Sequence, residues 1–124
     1  MTYADMFSKL TYETAILVFM KKNGDVRLML GTRNLNTVAL KYGFQGNVLG
    51  GHDNRCNIKN GNVAVYDILL GDARSFHIDR LVASEFLGEV KTMEQLEECA
   101  EKFLNFKEQY EKSQPTELSM DMLD

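Results

Sequence analysis

The chain contains no tryptophan, a single proline (Pro115) and only two cysteines among its 124 residues. Cys56 and Cys99 cannot build a disulfide framework, so a small cross-linked secreted scaffold is excluded and both are read as free thiols. No apolar run approaches the roughly 18 residues of a membrane-spanning helix; the longest is Ala15 to Met20. Nor does the N-terminus show a basic region leading into an apolar one, as a secretory leader would. These absences point to a soluble, cytoplasmic protein with no membrane partner. Excess positive charge is also missing. The formal net charge is −4, whereas a duplex binder that relies on phosphate neutralisation carries a clustered basic surplus. The deficit is uneven: residues 11–91 hold ten Lys or Arg against eight Asp or Glu, and residues 92–124 hold three against nine. A slightly basic body is joined to a distinctly acidic C-terminal segment.

With 44% hydrophobic and 26% charged residues, the chain has the composition of one globular domain. We expect that domain over residues 1–112, followed by an acidic tail at 113–124. Tyr3, Met6, Phe7 and Leu10 fall at helical spacing behind Thr2, a suitable N-cap, and predict a short amphipathic helix. From Glu13 to Lys21 the pattern becomes a continuous Ile-, Val- and Phe-rich run, as in a strand buried on both faces. Asn23-Gly24 then predicts a tight turn into a second strand carrying Val26, Leu28 and Leu30. Residues 41–62 hold five of the nine glycines and five asparagines and read as a loop-rich insertion. Within it, Cys56 to Lys59 is expected to pair with a strand over Val63 to Leu70 across Asn60-Gly61. The stretch Gly71 to Leu81 reads as a turn, a short strand and one tight helical turn, followed by a strand from Val82 to Leu87. Alternation is taken to send Phe76 and Ile78 to one face and Arg74, Ser75 and His77 to the other. Finally, Thr92-Met93-Glu94-Gln95 is a capping box opening a long helix to residue 112, with Leu96, Cys99, Ala100, Phe103, Phe106 and Tyr110 as its apolar stripe. Five or six short strands interrupted by one helical turn predict a mainly β or α+β fold: a small SH3-like (Sm-like) barrel with a short N-terminal helix and a longer C-terminal one.

For chemistry, the arginines lead, because a guanidinium fork donates two parallel hydrogen bonds to an oxyanion. Arg33, Arg74 and Arg80, with His77, are the expected ligand contacts at a barrel rim. The competing reading of Arg80 is an ion pair with Asp79 or Asp67 that fixes the turn. In the insertion, Lys41, Tyr42, Phe44, Arg55 and Lys59 offer the cationic and aromatic mix that suits a single strand; the alternative is a loop with one aromatic tucked into the core. Gly46 to Gly51 lacks the Lys-Ser/Thr ending of a phosphate-binding loop. His52 and Cys56 have ligand-like spacing but no matching second pair, so no metal is expected. No cofactor is expected either, and no triad spacing is visible, so the chain is read as non-enzymatic.

Three stretches carry a family resemblance: Phe19 to Arg27, Gly31 to Leu35, and Val65-Tyr66-Asp67 together with Arg74 to Leu81. They are similar to the WYL-like phage proteins with an Sm-like SH3 β-barrel, over roughly residues 15 to 87 and without either terminal helix. More distant relatives, the WYL domains of bacterial transcription regulators, carry a comparable Arg-x-Phe-x-x-Asp-Arg stretch. The resemblance implies a bacteriophage protein acting in the host cytoplasm, with Arg74 and Arg80 as ligand contacts. His77 stands where another basic residue is common. The leading expectation is a binding protein for a nucleotide or single-stranded nucleic acid. The runner-up binds and modulates a host protein through the acidic helix and tail, and a self-assembling structural homo-oligomer is a third.

Overall fold

The structure, a computed structural model, describes residues 1–113; the acidic tail expected at 113–124 lies outside them from Gln114 onward. Helix α1 (Tyr3–Tyr12) begins with a reciprocal capping box between Thr2 and Asp5. It turns directly into β1 (Thr14–Met20), whose first six residues are all buried. Strand β2 (Val26–Thr32) returns antiparallel through a turn in which Lys21 N–H donates to Asp25 O at 2.7 Å and Gly24 adopts φ +91°. That left-handed conformation is what the Asn-Gly pair supplies.

The chain then forms α2 (Leu35–Tyr42) and a short α3 (Gly50–Asn54) before β3 (Asn62–Asp67) and β4 (Asp72–His77). A single 3₁₀ turn, Ile78–Arg80, leads into β5 (Leu81–Phe86), and α4 (Met93–Ser113) closes the described chain. The five strands make one antiparallel sheet in the order β4-β3-β2-β1-β5. Its two edge strands are consecutive in sequence and joined by the 3₁₀ turn, as the expected small α+β barrel requires.

Both faces of the sheet are covered, which explains the unbroken apolar run of β1. One cluster unites Ala15, Leu17 and Phe19 with Met29, Val63, Val65 and Phe76, and α1 plugs it with Met6 and Leu10. The other unites Ile16, Leu30, Tyr66 and Ile68 with Val38 of α2 and with Leu96, Cys99 and Phe103 of α4. The stripe on α4 thus finds its surface on the outer side of β1 and β2. Its start carries the expected box: Gln95 N–H donates to Thr92 Oγ1 at 3.1 Å, and Thr92 N–H to Gln95 Oε1 at 3.2 Å. Among the described residues no helix is long and apolar enough to cross a membrane.

Several expectations are corrected. The insertion is not loop throughout: α2 runs into its first two residues, Lys41 and Tyr42, and α3 lies inside it. Asn34 caps α2 by accepting from the amides of Asn36 and Thr37. Cys56 to Lys59 is not a strand: Asn57 and Asn60 bond each other's backbone with their side chains and fold the segment into a turn. The strand beginning at Val63 stops at Asp67 rather than Leu70, because Asp67 accepts from the Leu70 amide and turns the chain. The barrel is not closed by pairing between β4 and β5, which stand at opposite ends of the strand order and are joined along the chain by the 3₁₀ turn. Arg74 does not alternate away from Phe76. It stands opposite Val65 as Phe76 stands opposite Val63, so both follow the inner face of β4.

Candidate functional site

At the hairpin end of the barrel the sheet opens into a cleft of about 470 Å³. Its floor is the Phe19–Phe76 ring pair, with centroids 5.6 Å apart. One wall is the β1–β2 hairpin with Lys21, Lys22 and Arg27; the other is β4 and the 3₁₀ turn with Arg74, His77 and Arg80. His52 of α3 also lines it. Asp72 is the one acidic residue in this lining, against five Lys or Arg. Two features of the backbone shape the opening. Phe19 lies opposite Arg27 on β2 and opposite Leu81 on β5, so Arg27 and the 3₁₀ turn flank the same residue of β1. Between Val18 and Phe19 the β1–β5 register shifts, and such an irregularity re-aims side chains at a barrel rim.

The cations of the cleft are held to different degrees. Arg80 is exposed and makes no ion pair among the described residues, so the expected alternative of a bond to Asp79 or Asp67 is not what the structure shows. Asp67 instead pairs with Arg74, whose Nε lies 3.4 Å from Asp67 Oδ2. The Arg74 side chain remains 29% exposed and lines the cleft. Lys22 is exposed at the hairpin tip, and Lys21 and Arg27 are half-buried. His77 is partly committed: its Nδ1 accepts from the Asp79 amide at 3.1 Å, capping the 3₁₀ turn. The ring packs so tightly on Gly61 (φ +72°) that a Cβ there would lie 2.9 Å from Nε2.

Arg33 is not at this opening. Its Nη1 donates to the carbonyl of Ala64 at 2.6 Å, its Nη2 lies 3.1 Å from Asp53 Oδ1, and its guanidinium sits 4.0 Å over the Phe7 ring. With a side chain only 9% exposed, it ties α1 and α3 to β3. Tyr42 is likewise structural: its hydroxyl donates to Ile68 O at 2.6 Å and its ring packs edge-on to Tyr66. This is the tucked-in aromatic weighed against a binding loop. Lys41, Phe44, Arg55 and Lys59 are exposed but do not line the cleft. His52 and Cys56 are not brought together: His52 faces the cleft, while Cys56 lines a separate groove with Tyr3 and Phe7. Burial, and next the charge of Asp53, push the Cys56 thiol up from its ordinary value and so away from the reactive thiolate. The sequence reading missed Lys21, Lys22 and Arg27. Their signal was a basic hairpin, Lys-Lys-Asn-Gly-Asp-Val-Arg, read there only as a turn.

Fold and cleft together define a small Sm-like barrel with a cationic mouth. The chain belongs to the family described as WYL_2, Sm-like SH3 beta-barrel fold, which it matches over residues 3–82. That match takes in α1, which the resemblance read from sequence left out, and ends within β5 rather than at Leu87. No curated protein and no solved structure matches the chain.

Proposed function

We propose that this chain is a non-enzymatic binding module whose cleft takes a nucleotide or a single-stranded nucleic acid through its phosphate groups. The observation that carries this reading is charge placement. A chain of net charge −4 gathers five Lys or Arg against one Asp around one opening. Two of the five, Lys22 and Arg80, are exposed, one on each wall. Arginine supplies oriented pairs of donors and lysine a mobile point charge, the usual division of labour at phosphate sites. A recessed opening suits an unpaired nucleotide better than a duplex.

Fluorescence anisotropy with a labelled oligothymidylate and competition by ATP test this. Binding is expected to weaken with salt by a log–log slope of about −0.7 per phosphate engaged. Lys22→Ala and Arg80→Ala should each weaken binding and flatten that slope, whereas Lys112→Ala, on α4, should not. Affinity that ignores salt and both cleft substitutions would refute the proposal.

A second reading has its own support. Along α4, Glu94, Glu97, Glu98, Glu101, Glu108 and Glu111 are exposed, with Leu104 among them at 58% exposure. An acidic helix face with an apolar anchor suits a basic protein partner, such as a host protein redirected during bacteriophage infection. Loss of partner capture on Leu104→Asp, with retention in Arg80→Ala, separates this reading from the first.

A further inference from the structure

The cleft has more positive charge than one phosphate requires and less aromatic surface than a stacked strand requires. Taking the cleft as a nucleotide-class site, as proposed above, we infer that its preferred ligand is a compact, multiply phosphorylated nucleotide, a nucleoside di- or triphosphate, rather than a strand.

Three observations converge on this. The first is size: about 470 Å³ falls in the range of roughly 300–1,000 Å³ that accommodates a single small ligand. Strand-binding folds instead offer a groove that tracks several nucleotides. The second is the state of the aromatic rings. Strands without sequence preference are held by bases stacked on exposed ring faces. Here the two rings of the floor, Phe19 and Phe76, are only 5% and 3% exposed and are packed on each other. They offer an apolar bed, not a free face, and the His77 ring is itself packed against Gly61. Recognition therefore falls to the phosphates.

The third observation is the division of cations between two walls. Arg27 and Leu81 flank Phe19 from neighbouring strands, which sets their backbones two strand spacings apart, about 10 Å. Arg80 directly precedes Leu81. A single phosphoryl group satisfies one wall at a time. A short chain of phosphates reaches from Arg27 and Lys22 on the hairpin to Arg80 and Arg74 on the other wall. Because the walls belong to separate elements, each phosphate added to the ligand gains a partner that the shorter ligand lacks.

Isothermal titration of the full chain with sodium tripolyphosphate, ATP, AMP and an oligothymidylate tests the inference. Tripolyphosphate and ATP are expected to bind at least about tenfold tighter than AMP, the equivalent of one charge-assisted hydrogen bond. ATP should also bind more tightly than the oligothymidylate. Arg27→Ala and Arg80→Ala, folded by circular dichroism, should each weaken ATP by about tenfold while leaving AMP less affected. An oligothymidylate that binds more tightly than ATP, and through the same residues, would overturn this inference while leaving the cleft reading in place. If none of the probes binds, or if binding ignores both substitutions, the inference falls together with the reading on which it rests.

Discussion

Removing the Arg33 side chain is the sharpest test of how the cations divide between framework and cleft. By residue type Arg33 resembles Arg80, yet the structure gives it three partners inside the fold. Arg33→Ala deprives the Ala64 carbonyl of a donor at 2.6 Å, and losing a charge-assisted bond of this kind costs about 1.5–3 kcal/mol. It also removes the guanidinium from the face of Phe7, 4.0 Å away, a contact of about 1 kcal/mol at a partly buried site. The Asp53 partner is 34% exposed, so water screens that ion pair and its share is at most about 1 kcal/mol. These contributions share one side chain and do not add fully, which gives an expected loss of about 3 kcal/mol. For a chain of this length that is a fall in Tm of ~10–15 °C. Arg33→Lys, which keeps charge but cannot fork between the Ala64 carbonyl and Asp53, should recover less than half of that loss. Urea denaturation followed by circular dichroism measures both variants, and ATP titration at a temperature where they remain folded measures the cleft. A loss under about 1 kcal/mol accompanied by lost ATP binding would show that Arg33 faces ligand, and would refute the framework assignment.

Three further outcomes follow from single contacts. Gly61→Ala places a Cβ 2.9 Å from the His77 ring at φ +72°; it should destabilise by about 1–3 kcal/mol and shift the Asp79 amide resonance as the cap is displaced, and unchanged stability would contradict the packing described. Met6→Ala empties the fully buried plug of α1 beneath the sheet and should cost about 2–5 kcal/mol in chemical denaturation, whereas a cost near zero would mean that α1 does not seal the barrel. Burial raises Cys99 above its ordinary 9.0 and Tyr3 and Tyr66 above 10.0. The folded values then exceed the unfolded ones, so this stability is complete at neutral pH and is lost as pH rises through the folded values. The urea midpoint should therefore fall above about pH 9, and a midpoint that holds or rises there would reverse the sign of the argument.

The parts of the fold visible in sequence were those whose signal is local. The Thr2 cap of α1, the Asn23-Gly24 turn and the capping box and stripe of α4 each rest on residues close in sequence and survive tertiary packing unchanged. Helix α2 was missed although Asn34 stands at its N-cap with Val38 and Tyr42 on one side, because the glycine- and asparagine-rich stretch that follows dominates the composition. Cys56 to Lys59 failed as a strand for a related reason: asparagine side chains bond nearby amides and favour turns over ladder pairing. At the site the limit is different. Arg74 and Arg80 were singled out by type, but nothing local to Arg33 distinguishes a buried tie from a ligand contact. The hairpin cations fell out of view because their meeting with β4 and the 3₁₀ turn is set by how the sheet curls.

The acidity of the rest of the molecule bears on how the cleft works. Overall the chain carries 14 Lys or Arg against 18 Asp or Glu, yet the cleft lining holds five against one. Its remaining surface therefore repels anions. A recessed opening with low-dielectric walls focuses the positive field of those five side chains outward, while the acidic face of α4 discourages phosphates elsewhere. Affinity gained through such focusing resides in the encounter rate and decays over a Debye length of about 10 Å at 0.1 M salt. Contacts to the half-buried cations, Lys21, Arg27 and Arg74, are screened less. Salt should consequently slow association more than it speeds dissociation, and Arg27→Ala should do the reverse, because Arg27 is half-buried opposite Phe19 and acts on the bound ligand. A basic surplus spread over the whole surface would not separate the two rates in this way, so the separation is a property of charge confined to one mouth.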